Sequence, residues 1–138
     1  MRFIQVSAVA ALSAATLSAQ SFRAIPDSFS GTDITPDGEI VIGSGNGGAY
    51  YWRWKVDPAP TFIGEQTAVG VSDDGSVIAG HMTDPVSGQT TAGFWTQATG
   101  WVSIGWLPTA FTGCGTISSP YDISGDGTTI IGLSWDGC

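Results

Sequence analysis

Fixed positive charge is almost missing from this chain: four Lys and Arg stand against twelve Asp and Glu in 138 residues, a formal net charge of -8. Once Arg2 leaves with the N-terminal segment described below, Arg23, Arg53 and Lys55 are the remaining cations. Such a surface repels phosphate backbones and anionic bilayers, which sets nucleic acid and membrane surfaces aside as partners. Charge of either sign is scarce, at 12% of residues, about half the share usual in a globular domain. Histidine occurs once, as His81. A metal centre recruits several ligands and a Ser or Cys nucleophile needs a base, so a single histidine opening the polar stretch 81–88 reads as a solvated loop residue. No G-x-S-x-G occurs, and nothing in the spacing of the acids marks a catalytic pair. No catalytic residue, metal or cofactor is expected.

Long apolar runs are lacking too. Residues 1–19 carry Arg2, an apolar stretch from Phe3 to Leu12, then Leu17 and Ala19 three and one residues before a cut at Gln20. That is the layout of a cleaved secretory signal peptide, too short to span about 30 Å of hydrocarbon. The expected location is secreted, extracellular or periplasmic, with no membrane span after signal removal. Cys114 and Cys138 then face an oxidising compartment. Folding of a hairpin centred near Gly125 and Asp126 brings both to one end, where a bridge would close about 25 residues and contribute on the order of 3.5 kcal/mol. The rival is that Cys138 pairs beyond the end of this chain.

What is abundant is glycine, twenty residues, with seven prolines, in a pattern of turns. Ile34-Thr35-Pro36-Asp37-Gly38-Glu39-Ile40-Val41-Ile42-Gly43 has near copies at 71–80 and 123–132. Each runs apolar, hydroxyl, any residue, Asp-Gly, any residue, a β-favouring run of three, then glycine. This predicts three hairpins, with Asp37-Gly38, Asp74-Gly75 and Asp126-Gly127 supplying the positive φ of a tight turn. After Gly43 comes Ala49-Tyr50-Tyr51-Trp52, and after Gly80 comes Ala92-Gly93-Phe94-Trp95; then Thr61-Phe62-Ile63-Gly64 matches Val102-Ser103-Ile104-Gly105. The expected organisation is a lead-in over 20–32 and an all-β repeat domain over 33–138. It has units at about 33–70 and 71–122, a partial third at 123–138, and loops at 81–88 and 106–120. About four short strands per unit is the period of a β-propeller blade. Two units and a hairpin make no closed ring, so the expectation is either the front of a longer array or the assembly of several copies, with the abrupt end favouring the first.

The pattern hydroxyl-x-Asp-Gly-x-x-apolar-x-Gly, then small-x-aromatic-Trp, then apolar-Gly, resembles the HAF repeat family of probable extracellular bacterial proteins over about Ile34 to Gly132. The resemblance implies export and a propeller-like architecture, and no assigned reaction. The first copy is also similar to the Ser-Pro-Asp-Gly repeats of TolB-like propellers.

Gly43-Ser44-Gly45-Asn46-Gly47-Gly48 is a formal G-x-G-x-x-G, but a dinucleotide site needs a helix next, and Ala49-Tyr50-Tyr51-Trp52-Arg53-Trp54 favours a strand. The paired acids Asp33 and Asp37, Asp73 and Asp74, Asp122 and Asp126 fall short of a calcium loop and suit turns. Six tryptophans are many for this length. Trp52 and Trp95, at equivalent repeat positions, read as core. The unrepeated Trp54, Trp101, Trp106 and Trp135 are the candidate ligand-binding residues, since aromatic faces beside carboxylates suit sugar rings. The expected function is a non-catalytic binding or structural module outside the cytoplasm, with a glycan or a cell-surface protein as partner. A carbohydrate-binding module and a fragment of a propeller hydrolase are the alternatives.

Overall fold

The computed structural model describes residues 29–107 and 117–135. Among these the chain is all-β with no helix: ten strands in three antiparallel sheets of four, four and two strands. The first sheet is β1 (Ser30–Ile34), β2 (Val41–Gly45), β3 (Gly48–Trp52) and β4 (Thr61–Gly64), each strand paired with the next. The second repeats that order with β5 (Thr67–Val71), β6 (Ile78–Thr83), β7 (Thr90–Thr96) and β8 (Gly100–Gly105). The third holds β9 (Ile117–Ile123) and β10 (Ile130–Trp135).

The three Asp-Gly segments join β1 to β2, β5 to β6 and β9 to β10, and they fold alike. In the second, the Ser72 carbonyl accepts the Gly75 N–H at 2.9 Å. The Ser72 hydroxyl donates to Asp74 Oδ1 at 2.8 Å and accepts the Val77 N–H at 3.0 Å, while the same Asp74 oxygen accepts the Ser76 N–H at 2.9 Å. Thr35 with Asp37 and Ser124 with Asp126 repeat these bonds atom for atom. The left-handed φ falls on the glycine, 69° at Gly38 and 71° at Gly75 and Gly127. The Asp therefore acts through its carboxylate, and the reversal is wider than a two-residue Asp-Gly turn because the hydroxyl takes the place of a backbone acceptor.

The glycine that closes each copy lies inside a strand. Gly43 pairs with Gly31, Gly80 with Ala68 and Gly132 with Pro120, each beside a register shift that leaves Thr32, Val69 or Tyr121 as the extra residue of a β-bulge. The bulged backbone swings so close that a Cβ at these glycines would strike the carbonyl oxygen of Ser30, Thr67 or Ser119.

Several sequence expectations change. The first strand of each sheet precedes its Asp-Gly turn, so the sheets begin at Ser30, Thr67 and Ile117. Ser30–Thr32 thus leave the lead-in, and Ile117–Pro120 leave the expected loop to form part of β9. Residues 81–88 are also less of a loop than predicted. β6 takes in His81–Thr83, pairing His81 with Ala92 and Thr83 with Thr90 because Thr-rich alternation prolongs the ladder, while residues 84–88 remain the loop. His81 is a half-buried strand residue, not a solvated loop one, and burial lowers its pKa. Gly43–Gly48 is a hairpin end followed by β3, as its tyrosines and tryptophan predict. The signal peptide, Cys114 and Cys138 lie outside the described residues.

Between the first two sheets, Ile42 and Ala49 meet Ala68, Val71 and Ile78, with Ile40, Tyr51, Ile63, Trp95 and Trp101 packed around them. Ile42 and Ile78 are fully buried, each such side chain contributing about 1.5–3 kcal/mol. Polar side chains then fix the relative position of the sheets. Asp33 Oδ2 accepts the Val71 N–H at 2.9 Å and Ser44 Oγ the Ala68 N–H at 3.2 Å. The second and third sheets are tied by Ser118 Oγ, which accepts the Ala92 N–H at 2.8 Å and bonds the buried Thr91 hydroxyl at 3.1 Å.

Candidate functional site

The splayed end of the first two sheets leaves an open cleft of about 1020 Å³. Tyr51 enters it from the end of β3, one residue before the strand stops at Trp52. Trp95 enters from β7, and the two rings lie 6.2 Å apart, tilted by 37°. Their partners across the ladder explain the placement. Tyr51 pairs with the buried Ile42 and Trp95 with the buried Ile78, so each ring is half-buried at the margin of the core. Burial raises the Tyr51 pKa, keeping its hydroxyl a neutral donor.

Polar groups line the rest. The Arg53 guanidinium grips Asp57 in a two-point ion pair, Nε to Oδ2 at 3.0 Å and Nη2 to Oδ1 at 2.9 Å. That bond holds the Asp57 carboxyl below its usual range and raises Arg53 further. Asp74 faces the same space from the second turn with Ser76, and Thr96 and Gln97 follow Trp95. The N–H of Ser76, then the Ser76 and Ser72 side chains, bring the Asp74 pKa down to about 2. Both acids are therefore carboxylates at neutral pH. They can accept hydrogen bonds from ligand hydroxyls.

The tryptophans singled out from sequence do not converge here. Trp54 Nε1 donates to the Gly38 carbonyl at 2.6 Å, with the Lys55 ammonium 5.5 Å from its ring centre. Trp101 packs between the sheets: its Nε1 donates to the Ile63 carbonyl at 2.8 Å, and its ring covers Gly80. Trp106 borders a smaller groove of about 380 Å³ beside β10, and Trp135 ends β10 opposite Ile117. Trp52, equivalent to Trp95, is buried and donates to the Asp57 carbonyl at 3.1 Å. The residues that do line the cleft, Tyr51 and Trp95, belong to the repeated small-x-aromatic-Trp motif. Periodicity assigned Trp95 to the core and gave Tyr51 no role, and no local signal separates a core ring from one at the core's margin. Among the described residues no three His, Cys, Asp or Glu gather in a metal-binding group. No family model, curated protein or solved structure matches the chain.

The turn carboxylates make stability acid-sensitive in a stated window. Asp37 is lowered by its bond from Thr35 and then by the Glu39 N–H, Asp126 by Ser124 and then Thr128, and Asp74 as above. A carboxyl whose folded pKa lies below its unfolded value stabilises the fold above the unfolded value and loses that effect as pH falls through the folded one. The urea midpoint should thus fall between about pH 4 and pH 2. His81 adds an earlier decline: its folded pKa is depressed, so the unfolded chain takes up the proton first as pH drops below about 6.5. Midpoints measured every half unit check both, and a flat profile from pH 7 to 2 would refute them.

Proposed function

We propose that this chain is an exported, non-catalytic binding module of HAF-like repeats, whose three sheets are successive blades of a propeller-like array. Its ligand is a neutral glycan, seated in the cleft between the first and second sheets. The observation that carries this is the Tyr51 and Trp95 pair beside Asp57, Asp74 and Gln97. A pyranose offers an apolar C–H face to an aromatic ring and equatorial hydroxyls to flanking carboxylates, which matches that lining. The net charge of -8 disfavours uronic-acid or sulfated polymers. The sheet-on-sheet stacking and the thrice-used turn support the blade reading.

Titration with neutral polysaccharides should quench Trp fluorescence, since Trp95 lies in the cleft. Trp95→Ala should weaken binding about tenfold, from the loss of roughly 1 kcal/mol or more of ring contact. Trp54→Phe, outside the cleft, should leave it unchanged. No quench across a neutral glycan panel, or equal losses in both variants, would end this assignment.

A further inference from the structure

The three Asp-Gly turns share their hydrogen bonds but not their surroundings. In each, the hydroxyl and the N–H two residues beyond the acid both donate to Oδ1 of the aspartate, which is Asp37, Asp74 or Asp126. Oδ2 takes part in none of these bonds, so each turn fixes its carboxylate while leaving one oxygen to whatever lies outside. Outside the first turn, Trp54 and Lys55 fold back: the indole binds the Gly38 carbonyl, and the ammonium lies 3.1 Å from Glu39. Asp126 stands exposed on the last turn and borders neither of the grooves described above. Asp74 alone of the three lines the cleft that holds Tyr51 and Trp95.

Packing of the second turn between its neighbours sets that position. A Cβ on Gly75 would run into the Ile40 side chain, so the turn lies against the first sheet just ahead of β2. On its other side the Asp73 N–H donates to the Gly125 carbonyl at 2.8 Å, tying it to the third turn. The other carboxylate of the cleft is differently placed. Asp57 accepts hydrogen bonds from the Arg53 N–H at 3.3 Å, Nε at 3.0 Å and Nη2 at 2.9 Å. Those fill all but one of the roughly four acceptor sites of a carboxylate. Asp57 therefore serves Arg53, whereas Asp74 still has an oxygen to offer.

We infer that Asp74 is the specificity-determining acceptor of the cleft: its Oδ2 receives a hydrogen bond from a free hydroxyl of a neutral glycan lying on Tyr51 and Trp95. This rests on the glycan reading above and goes past it by giving the two acids separate roles. The ligand class follows from the chemistry of an ionised carboxylate, which accepts and does not donate, and so selects groups that carry an O–H. A glycan whose hydroxyls are methylated keeps its apolar face for the rings but sets an acceptor against an acceptor, leaving Asp74 desolvated without a partner. The cleft is thus selective for an unmodified neutral polysaccharide over its O-methylated form.

Tryptophan-fluorescence titration of the full chain tests this, using the neutral polysaccharide that quenches wild type and its O-methylated derivative. Asp74→Asn keeps an oxygen for the two turn bonds and puts an amide where Oδ2 stood. It should weaken binding about five- to tenfold, the worth of one partly exposed hydrogen bond. Because the ligand is uncharged, that loss should persist at about 0.5 M salt. Asp37→Asn, the same change in a turn outside the cleft, should lower the urea midpoint as much as Asp74→Asn does and bind as wild type does. The O-methylated polymer should bind wild type at least as weakly as the unmodified one binds Asp74→Asn, and should not distinguish the two proteins. Equal affinity of wild type and Asp74→Asn, or equal losses in the two Asn variants, overturns the role of Asp74, while a Trp95→Ala loss would still support the glycan cleft. Should Asp74→Asn not fold, the methylated polymer decides: undiminished binding to wild type overturns the inference. Wild type unquenched by any neutral glycan removes the cleft reading and this inference together.

Discussion

Gly80→Ala should destabilise the fold by about 3 kcal/mol, the upper part of the range for overpacking a core. Gly80 is fully enclosed where three elements converge. Its added methyl would strike the Thr67 carbonyl oxygen and lie 2.6 Å and 2.9 Å from two ring carbons of Trp101. The first obstacle is backbone held by the β5–β6 ladder, and the second is a ring anchored by its bond to the Ile63 carbonyl in the neighbouring sheet. Relief therefore requires either opening the bulge or moving Trp101 out of the junction, and both disturb the contact between the first and second sheets. Against a typical total of about 5–15 kcal/mol, a loss of this size is a large fraction. Urea unfolding monitored by fluorescence would show it as a lower midpoint at unchanged slope. A shift of less than about 1 kcal/mol would mean that the bulge relaxes freely, and the close approach would then not explain the glycine.

Ser72→Ala should cost about 1–3 kcal/mol, although it removes a single oxygen. Ser72 is fully buried, and its hydroxyl both accepts the Val77 N–H and donates to Asp74. Without it the Val77 N–H has no acceptor at that point, and an unmet donor away from water carries its full desolvation cost. Asp74 loses one of the bonds that hold its pKa down, so the acid-induced decline between about pH 4 and pH 2 should become shallower. Ser72→Thr restores the hydroxyl, and Thr already does this work at position 35 in the first sheet. It should recover most of the stability. Ser124→Ala, in the more exposed third turn, should cost less than Ser72→Ala, since water reaches the freed groups. If the two Ala variants cost the same, burial does not set the strength of the motif.

The turn was legible because every group that shapes it lies within six residues: hydroxyl, carboxylate and glycine act on nearby backbone. The role of the glycine closing each copy was not. As a local signal, Gly80 reads as the end of a strand, yet its identity is imposed by Thr67 and by Trp101 from β8. Trp101 likewise resembles an unrepeated surface ring in sequence. The Ile63 carbonyl that binds it is 38 residues away, and no spacing rule reaches that far. His81 was placed in a loop because the polar stretch after it hides a ladder whose other half, Thr90 to Ala92, lies beyond the turn.

By itself, the sequence determined a β-rich chain built from one turn used three times, with a hydroxyl, an Asp and a Gly set by local hydrogen bonding and φ. Only the tertiary structure decided which strands share a sheet, where the bulges fall, which aromatic rings become seals between sheets, and that Tyr51 and Trp95 meet in a cleft. The physical reason is range. Turn geometry is settled by atoms a few bonds apart, whereas sheet stacking is settled by surfaces that become neighbours only once each sheet has formed.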